Sequence, residues 1–105
     1  MDRHEYYVLK NRVAVPVSIM EWSEWHSSVR QHSAEWIVGK TQLHNAEVST
    51  VFLGLDHGHN EERPMVFETL VFGGAMDGDM ERYSTWKEAE AGHWKMVDLV
   101  GRQKG

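Results

Sequence analysis

Hydrophobic residues recur at helical spacing in two segments of the chain, and the first of them follows Ser18. Ser18 to Glu21 reads S-x-x-E, a capping box in which the serine hydroxyl and the glutamate carboxylate satisfy amides of the first helical turn. A period of about 3.6 residues places the apolar positions on one side. That side consists of Ile19, Trp22, Trp25, His26 and Val29. The pattern predicts an amphipathic helix at about residues 19–29.

The second segment lies further along the chain, where Thr85 and Glu88 repeat the capping-box spacing. Its apolar stripe consists of Trp86, Ala89, His93, Met96, Val97 and Val100. Gly101 comes directly after the stripe, and glycine readily adopts the left-handed conformation that ends many helices. A second amphipathic helix is therefore predicted at about residues 85–100.

Between the two helical segments the pattern changes to that of β-strands. The runs EWIVGKTQL, EVSTVFLGL and PMVFETLVF are rich in β-branched and aromatic residues, and polar or turn-forming residues separate them. After a glycine-containing turn, Met80 to Tyr83 predicts a short fourth strand. These features predict an antiparallel β-meander of about four strands, and with the two helices an α+β fold.

Two more β-prone runs, EYYVL and VAVPV, precede the first helix. Lys10, Asn11 and Arg12 separate them, which predicts either a short hairpin or one strand followed by an extended tail. Because proline cannot donate to a sheet, Pro16 indicates that the second run lies at an edge.

The strand MVFETLVF is apolar on both faces, because Phe67 and Val71 alternate with Leu70 and Phe72. Such a strand is usually covered on both sides. Two arrangements are open. Either the helices cover both faces of the sheet, or they cover one face and a second copy of the chain covers the other in a homodimer.

Composition and charge narrow the class of protein. The 105 residues are 41% hydrophobic and 26% charged, which is typical of one globular domain, here residues 1–105. The net charge of −5 argues against direct nucleic-acid binding. It is compatible with a basic groove on a partner protein, but ordinary solubility charge is the favoured explanation. There is no cysteine, and no apolar run approaches the roughly 20 residues that span a bilayer. We expect a cytoplasmic protein with no membrane partner.

The densest polar cluster runs from Asp56 to Glu62, between two predicted strands. Aspartate and histidine bind transition metals, and His57 and His59 are spaced to point the same way on an extended segment. A metal site would draw on His57, His59, Glu68 and His93. No established metal-binding motif such as H-E-x-x-H is present, so we favour a solvated turn and expect no cofactor.

Glu68 and His93 are the other candidates for chemistry. Glu68 shares a strand face with Leu70 and Phe72, so we expect a buried carboxylate that is held by a tyrosine, a tryptophan or Arg82. His93 lies in the apolar stripe of the second helix, where a core role is favoured over catalysis.

The chain has five tryptophans, and they need not all be buried. For Trp94 a boundary residue that covers its own domain is slightly favoured over an interface residue. Trp94 lies about 100° from the centre of the stripe of the second helix, at the margin of the core. A partly exposed tryptophan is a favoured interface anchor, because it buries a large area with little loss of entropy. The candidate binding residues are Trp22, Trp25, Trp94, Asp56, His57 and Glu68.

Three strings carry a resemblance to known proteins. VSTVFLGLDH, FETLVFGG and RYSTWKEAEAGH resemble a family of small uncharacterised bacteriophage and prophage proteins. The YYVLK start and the VPVSIMEWSEWH segment are similar to the N-terminal half of that family. The charged loop GHNEER departs from the glycine-rich loop expected of the family, which puts a site there in doubt.

What the resemblance implies is a context and not a reaction. Small accessory phage proteins act by stoichiometric binding to a host or phage protein, which includes inhibition of host defence systems such as CRISPR complexes. The expected function is a non-catalytic binding protein of this kind in the bacterial host cell. The alternative is a small metal-assisted hydrolase that uses the Asp56–His59 loop and Glu68.

Overall fold

The computed structural model describes residues 4–57 and 62–103. The elements are β1 (Tyr7–Lys10), β2 (Val13–Pro16), α1 (Ile19–His32), β3 (Ile37–Gln42), β4 (Glu47–Phe52), β5 (Phe67–Phe72), β6 (Met80–Tyr83) and α2 (Trp86–Gly101). β1 and β2 form an antiparallel hairpin. The other strands form an antiparallel sheet in the order β3-β4-β5-β6, which confirms the α+β class and the meander.

Both helices begin where the capping boxes predict. The Glu21 amide donates to the Ser18 hydroxyl at 3.2 Å, and the Glu88 amide donates to Thr85 at 3.1 Å. α1 continues past its predicted end near residue 29 and stops at His32. The left-handed cap expected at Gly101 does not form: this residue is still helical, and the right-handed Arg102 donates to carbonyls of the last turn.

The hairpin, not the extended tail, is the observed form of the first segment. Its two turn residues, Asn11 and Arg12, have left-handed backbones with φ of 51° and 65°. Left-handed pairs suit two-residue hairpin turns because their twist matches that of the strands. The Arg12 guanidinium lies 4.7 Å from the ring centroid of Trp86 and ties the hairpin to the first turn of α2.

α2 packs on one face of the four-stranded sheet, which we call the inner face. Residues of β4 and β5 alternate between this face and the other, as the period of a strand requires. The buried inner-face residues of these strands are Val48, Thr50, Phe52, Phe67, Thr69 and Val71. α2 buries Ala89, His93, Met96 and Val100.

α1 lies beside the sheet, against the hairpin. None of its residues is fully buried, and its main contact is with β1. Trp25 reaches the core and meets the Phe52 ring edge-on, with 5.4 Å between centroids. α1 therefore closes the end of the core next to the hairpin.

The opposite face of the sheet, which we call the outer face, has no helix on it in the described part of the chain. Phe72 is 51% exposed there and Met80 is 45% exposed. Of the two arrangements that the sequence leaves open, helices on both faces are not observed: α2 lies on the inner face and α1 lies beside the sheet. Neither described helix is long and apolar enough to cross a membrane.

Candidate functional site

His93 is 1% exposed, and both of its ring nitrogens are bonded. Nε2 lies 2.9 Å from Thr41 Oγ1, and Nδ1 lies 2.7 Å from Thr50 Oγ1. Thr50 Oγ1 is 2.6 Å from Thr69 Oγ1, which accepts from the Tyr83 hydroxyl at 3.1 Å. We call these five side chains the hydroxyl relay. It joins α2 to strands β3, β4, β5 and β6.

Donation from Tyr83 to Thr69 is consistent with the His93 tautomer that carries its ring proton on Nε2. Because Tyr83 donates to Thr69, the Thr69 proton is available to Thr50, and the Thr50 proton to Nδ1. Nε2 then carries the ring proton and donates it to Thr41. The reverse direction would leave the Thr69 proton without an acceptor in the relay. Burial lowers the pKa of His93, which favours the same neutral ring.

Gly39 makes room for this ring. A Cβ at this position would lie 2.9 Å from the His93 side chain, which is closer than real Cβ atoms approach. The β3 backbone and the imidazole therefore fit together only with glycine here. His93 is a core residue, as its place in the apolar stripe favours.

Glu68 lies on the outer face with its side chain 16% exposed, so it is half-buried and not fully buried as the sequence predicts. Arg82 pairs with it across β5 and β6, and its Nε donates to Glu68 Oε2 at 3.1 Å. Arg82 is one of the donors that the sequence suggests. The carboxylate is held in an ion pair on the face away from His93.

Asp56 and His57 close the base of the loop that follows β4. The Met65 amide donates to Asp56 Oδ1 at 3.0 Å, and the His57 amide donates to the Met65 carbonyl at 3.1 Å. Asp56 thus stabilises the return of the chain toward β5.

The structure does not bring together those alternative metal ligands that it describes, Glu68, His57 and His93. His93 is in the inner-face core, Glu68 is on the outer face, and His57 lies at the loop base. His59 is outside the described residues. Within residues 4–57 and 62–103, no three His, Cys, Asp or Glu side chains are grouped to hold a metal ion.

Trp22 and Trp25 hold α1 in place. The Trp22 ring lies 5.5 Å from the Tyr6 ring and 4.9 Å from the His26 ring, and Gly54 leaves space for its indole nitrogen. Trp25 packs on Phe52, as described above. Both candidates are half-buried and serve packing between elements.

Trp94 differs from both, because its side chain is 58% exposed. Its indole still has a fixed support: the His93 ring meets it nearly at right angles, with 5.0 Å between centroids. Glu90 and Asp98 lie one turn before and after it, and both are exposed. Asp98 Oδ2 also accepts from Arg102 at 2.9 Å. The exposed Lys95 follows the indole directly. The result is a supported indole among charges of both signs.

A groove that the sequence did not reveal lies between the hairpin turn and the first turn of α2. Its volume is about 520 Å³, and its lining includes Arg12, Glu35, Trp86 and Glu90. The indole nitrogen of Trp86 is buried and has no partner among the described residues. The left-handed turn that brings Arg12 to Trp86 contains no glycine. The sequence pattern therefore did not predict this contact or the groove beside it.

No protein-family model, curated protein or solved structure matches this chain.

Proposed function

We propose that this protein is a non-catalytic binding protein that engages another protein through Trp94 and the surrounding surface of α2. The observation that carries the proposal is an indole that is 58% exposed and yet supported by the buried His93 ring. A side chain that is already held loses little freedom on binding, and tryptophan is enriched among the residues that dominate binding energy.

The state of the polar residues supports binding over catalysis. A general base needs a lone pair within reach of a substrate proton. Both nitrogens of His93 are bonded inside the core, and the Glu68 carboxylate accepts from Arg82. Asp56 accepts from the backbone at the loop base. These groups stabilise the fold.

The charge around Trp94 suggests the chemistry of the partner. Glu90 and Lys95 lie beside the indole, Asp98 is paired with Arg102, and the whole chain carries a net charge of −5. A complementary surface has an apolar pocket for the indole and charged groups of both signs at its rim, with an excess of basic residues further out to match the net charge of the chain. The resemblance to phage proteins supports a host or phage protein as partner, with a host defence component such as a CRISPR complex as one candidate, in the bacterial cytoplasm.

The test compares three forms of the full chain as bait in extract from a bacterial host: wild type, Trp94→Ala and Met20→Ala. Met20 is a matched control, because it is a large apolar side chain, 73% exposed, on the other helix. Wild type and Met20→Ala should recover the same partner at a fixed stoichiometry. With the purified partner, Trp94→Ala should raise Kd about 30-fold or more, since a binding hot spot costs about 2 kcal/mol or more.

Two results would contradict the proposal. One is the absence of a stoichiometric partner together with no phenotype on expression of the protein. The other is a partner whose Kd is unchanged by Trp94→Ala and raised by Met20→Ala, which would place the interface on α1.

A further inference from the structure

The outer face carries a diagonal band of apolar side chains. Ile37 and Val51 pair at one corner of the sheet, on β3 and β4. Leu70 and Met80 pair on β5 and β6, nearer the other end of the strands. Phe72 follows two residues after Leu70 on the same face. We call these five residues the apolar band.

An ion pair lies on each side of the band. Lys40 Nζ is 3.6 Å from Glu47 Oε1 on the β3–β4 side, and Arg82 Nε is 3.1 Å from Glu68 Oε2 on the β5–β6 side. The outer face thus consists of the diagonal apolar band with an ion pair of zero net charge on each side. No segment of the described chain covers it.

The spacing of a β-sheet gives the direction of the band. Neighbouring strands are about 4.8 Å apart, and residues advance about 3.3 Å along each strand. From the midpoint between Ile37 and Val51 to Leu70, the band moves one and a half strands across, about 7.2 Å, and two residues along, about 6.6 Å. It therefore crosses the strands at about 45°.

A twofold axis that runs along the band, in the plane of the outer face, would bring two copies of the chain together with matched surfaces. The band of each copy covers the band of the other. Leu70 meets the partner's Leu70 near the axis, and Phe72 meets the partner's Met80. Because the axis lies at about 45° to the strands, the two sheets cross at about 90°, one of the two common sheet-packing geometries.

The same axis matches the charges. With the spacings above, Lys40 comes opposite the partner's Glu68, and Glu47 comes opposite the partner's Arg82. Each cation faces an anion in both halves, as a self-complementary twofold interface requires. Rotation about an axis along the strands instead would set Glu68 over the partner's Val51 and Lys40 over the partner's Met80. The charge pattern therefore selects a second copy and the diagonal axis.

We propose that the protein is a homodimer in which two outer faces pack crosswise along the apolar band. The dimer is independent of the proposed partner binding, because Trp94 is on α2, on the inner side of the sheet. Its formation requires only this chain, so its failure and the failure of the Trp94 interface are separate results.

The first test is the particle mass by light scattering and sedimentation, over micromolar to hundred-micromolar concentrations. Wild type should have twice the chain mass of 12.2 kDa. Leu70→Glu should weaken the dimer at least 100-fold, because it places two carboxylates near the axis. Val13→Glu is the control: Val13 is 60% exposed on the hairpin, away from the outer face, and this variant should remain dimeric.

The second test uses charge reversal and does not depend on the apolar band. Lys40→Glu and Glu68→Lys should each weaken the dimer about tenfold or more, and the double variant should recover most of the loss. Residues 40 and 68 are on β3 and β5, with β4 between them, so recovery within one chain is not expected.

A wild-type chain that stays at 12.2 kDa up to the highest concentration would overturn the proposal. A dimer that persists in folded Leu70→Glu protein would place the interface elsewhere. Failure of the double charge variant to recover dimerisation, with its circular dichroism spectrum unchanged, would rule out the diagonal axis.

Discussion

The two helices begin with the same local signal and end in different environments. α1 and α2 each start with a hydroxyl that accepts from the amide three residues later, and they have 14 and 16 residues. α2 buries four side chains against the sheet, whereas α1 buries none completely. Since most helical stability in proteins comes from packing, α2 should be held far more strongly than α1.

The comparison separates where a helix starts from how firmly it is held. A capping box is a local feature that acts within the first turn. Burial depends on which elements the chain brings onto the other side of the helix. Three pairs of measurements sharpen this difference between α1 and α2.

The largest contrast is expected between two methionines. Met96→Ala on α2 should lower the free energy of unfolding by about 2–5 kcal/mol, because it removes a buried side chain and leaves a cavity. Met20→Ala on α1 should change it by less than about 0.5 kcal/mol, because Met20 is exposed. Urea unfolding measures both. Equal losses would show that α1 is as firmly packed as α2.

The second contrast is pH dependence, which α2 should show through His93. Burial lowers its pKa in the folded state, so the unfolded chain takes up a proton first as the pH falls through about 6.5. The free energy of unfolding should then decrease by up to about 1.4 kcal/mol per pH unit, until the folded state also binds the proton. Protonation would also remove the acceptor at Nδ1 and reverse the hydroxyl relay.

His93→Gln isolates this effect. The variant will be less stable throughout, so the quantity to compare is the slope of unfolding free energy against pH between 7 and 5. The slope should be shallower in His93→Gln than in wild type. Parallel curves would show that the proton equilibrium of His93 does not contribute.

The smallest contrast is between the two caps. Thr85→Ala should lower the global free energy of unfolding by about 1 kcal/mol, the usual cost of losing an N-cap. Ser18→Ala should lower it by less, because α1 can open while the sheet stays folded. Amide hydrogen exchange distinguishes the two. Ser18→Ala should speed exchange in α1 alone, and equal acceleration in both helices would contradict separate opening.

The sequence predicted those features that depend on near neighbours. The caps at Ser18 and Thr85, the β6 span at Met80–Tyr83 and the exposure at Trp94 all follow from spacing within a few residues. The extension of α1 to His32 and the helical state of Gly101 were missed, because helix ends depend on weaker local preferences.

Contacts between residues far apart in the chain could not be predicted from the local sequence pattern. The partners of His93 come from Thr41 and Thr50, which are 52 and 43 residues away in the chain. Which hydroxyls reach the His93 ring depends on the register of β3 and β4 beneath α2, and the sequence does not give that register. For Glu68 the sequence suggested a tyrosine, a tryptophan or Arg82 as the donor. The pairing of β5 with β6 selects Arg82. The metal alternative joined residues that the sheet places on opposite faces.

The contact of Arg12 with Trp86 has a consequence for the order of events on the ribosome. The same buried cluster joins Tyr7 of β1 to Ala89 of α2, so the earliest strands are covered by the last helix. While residues 86–101 are still being synthesised, the inner face of the sheet lacks the cover that α2 provides. At about 5–20 residues per second the exposed sheet must wait for α2, so the nascent chain cannot complete its core until that helix has emerged.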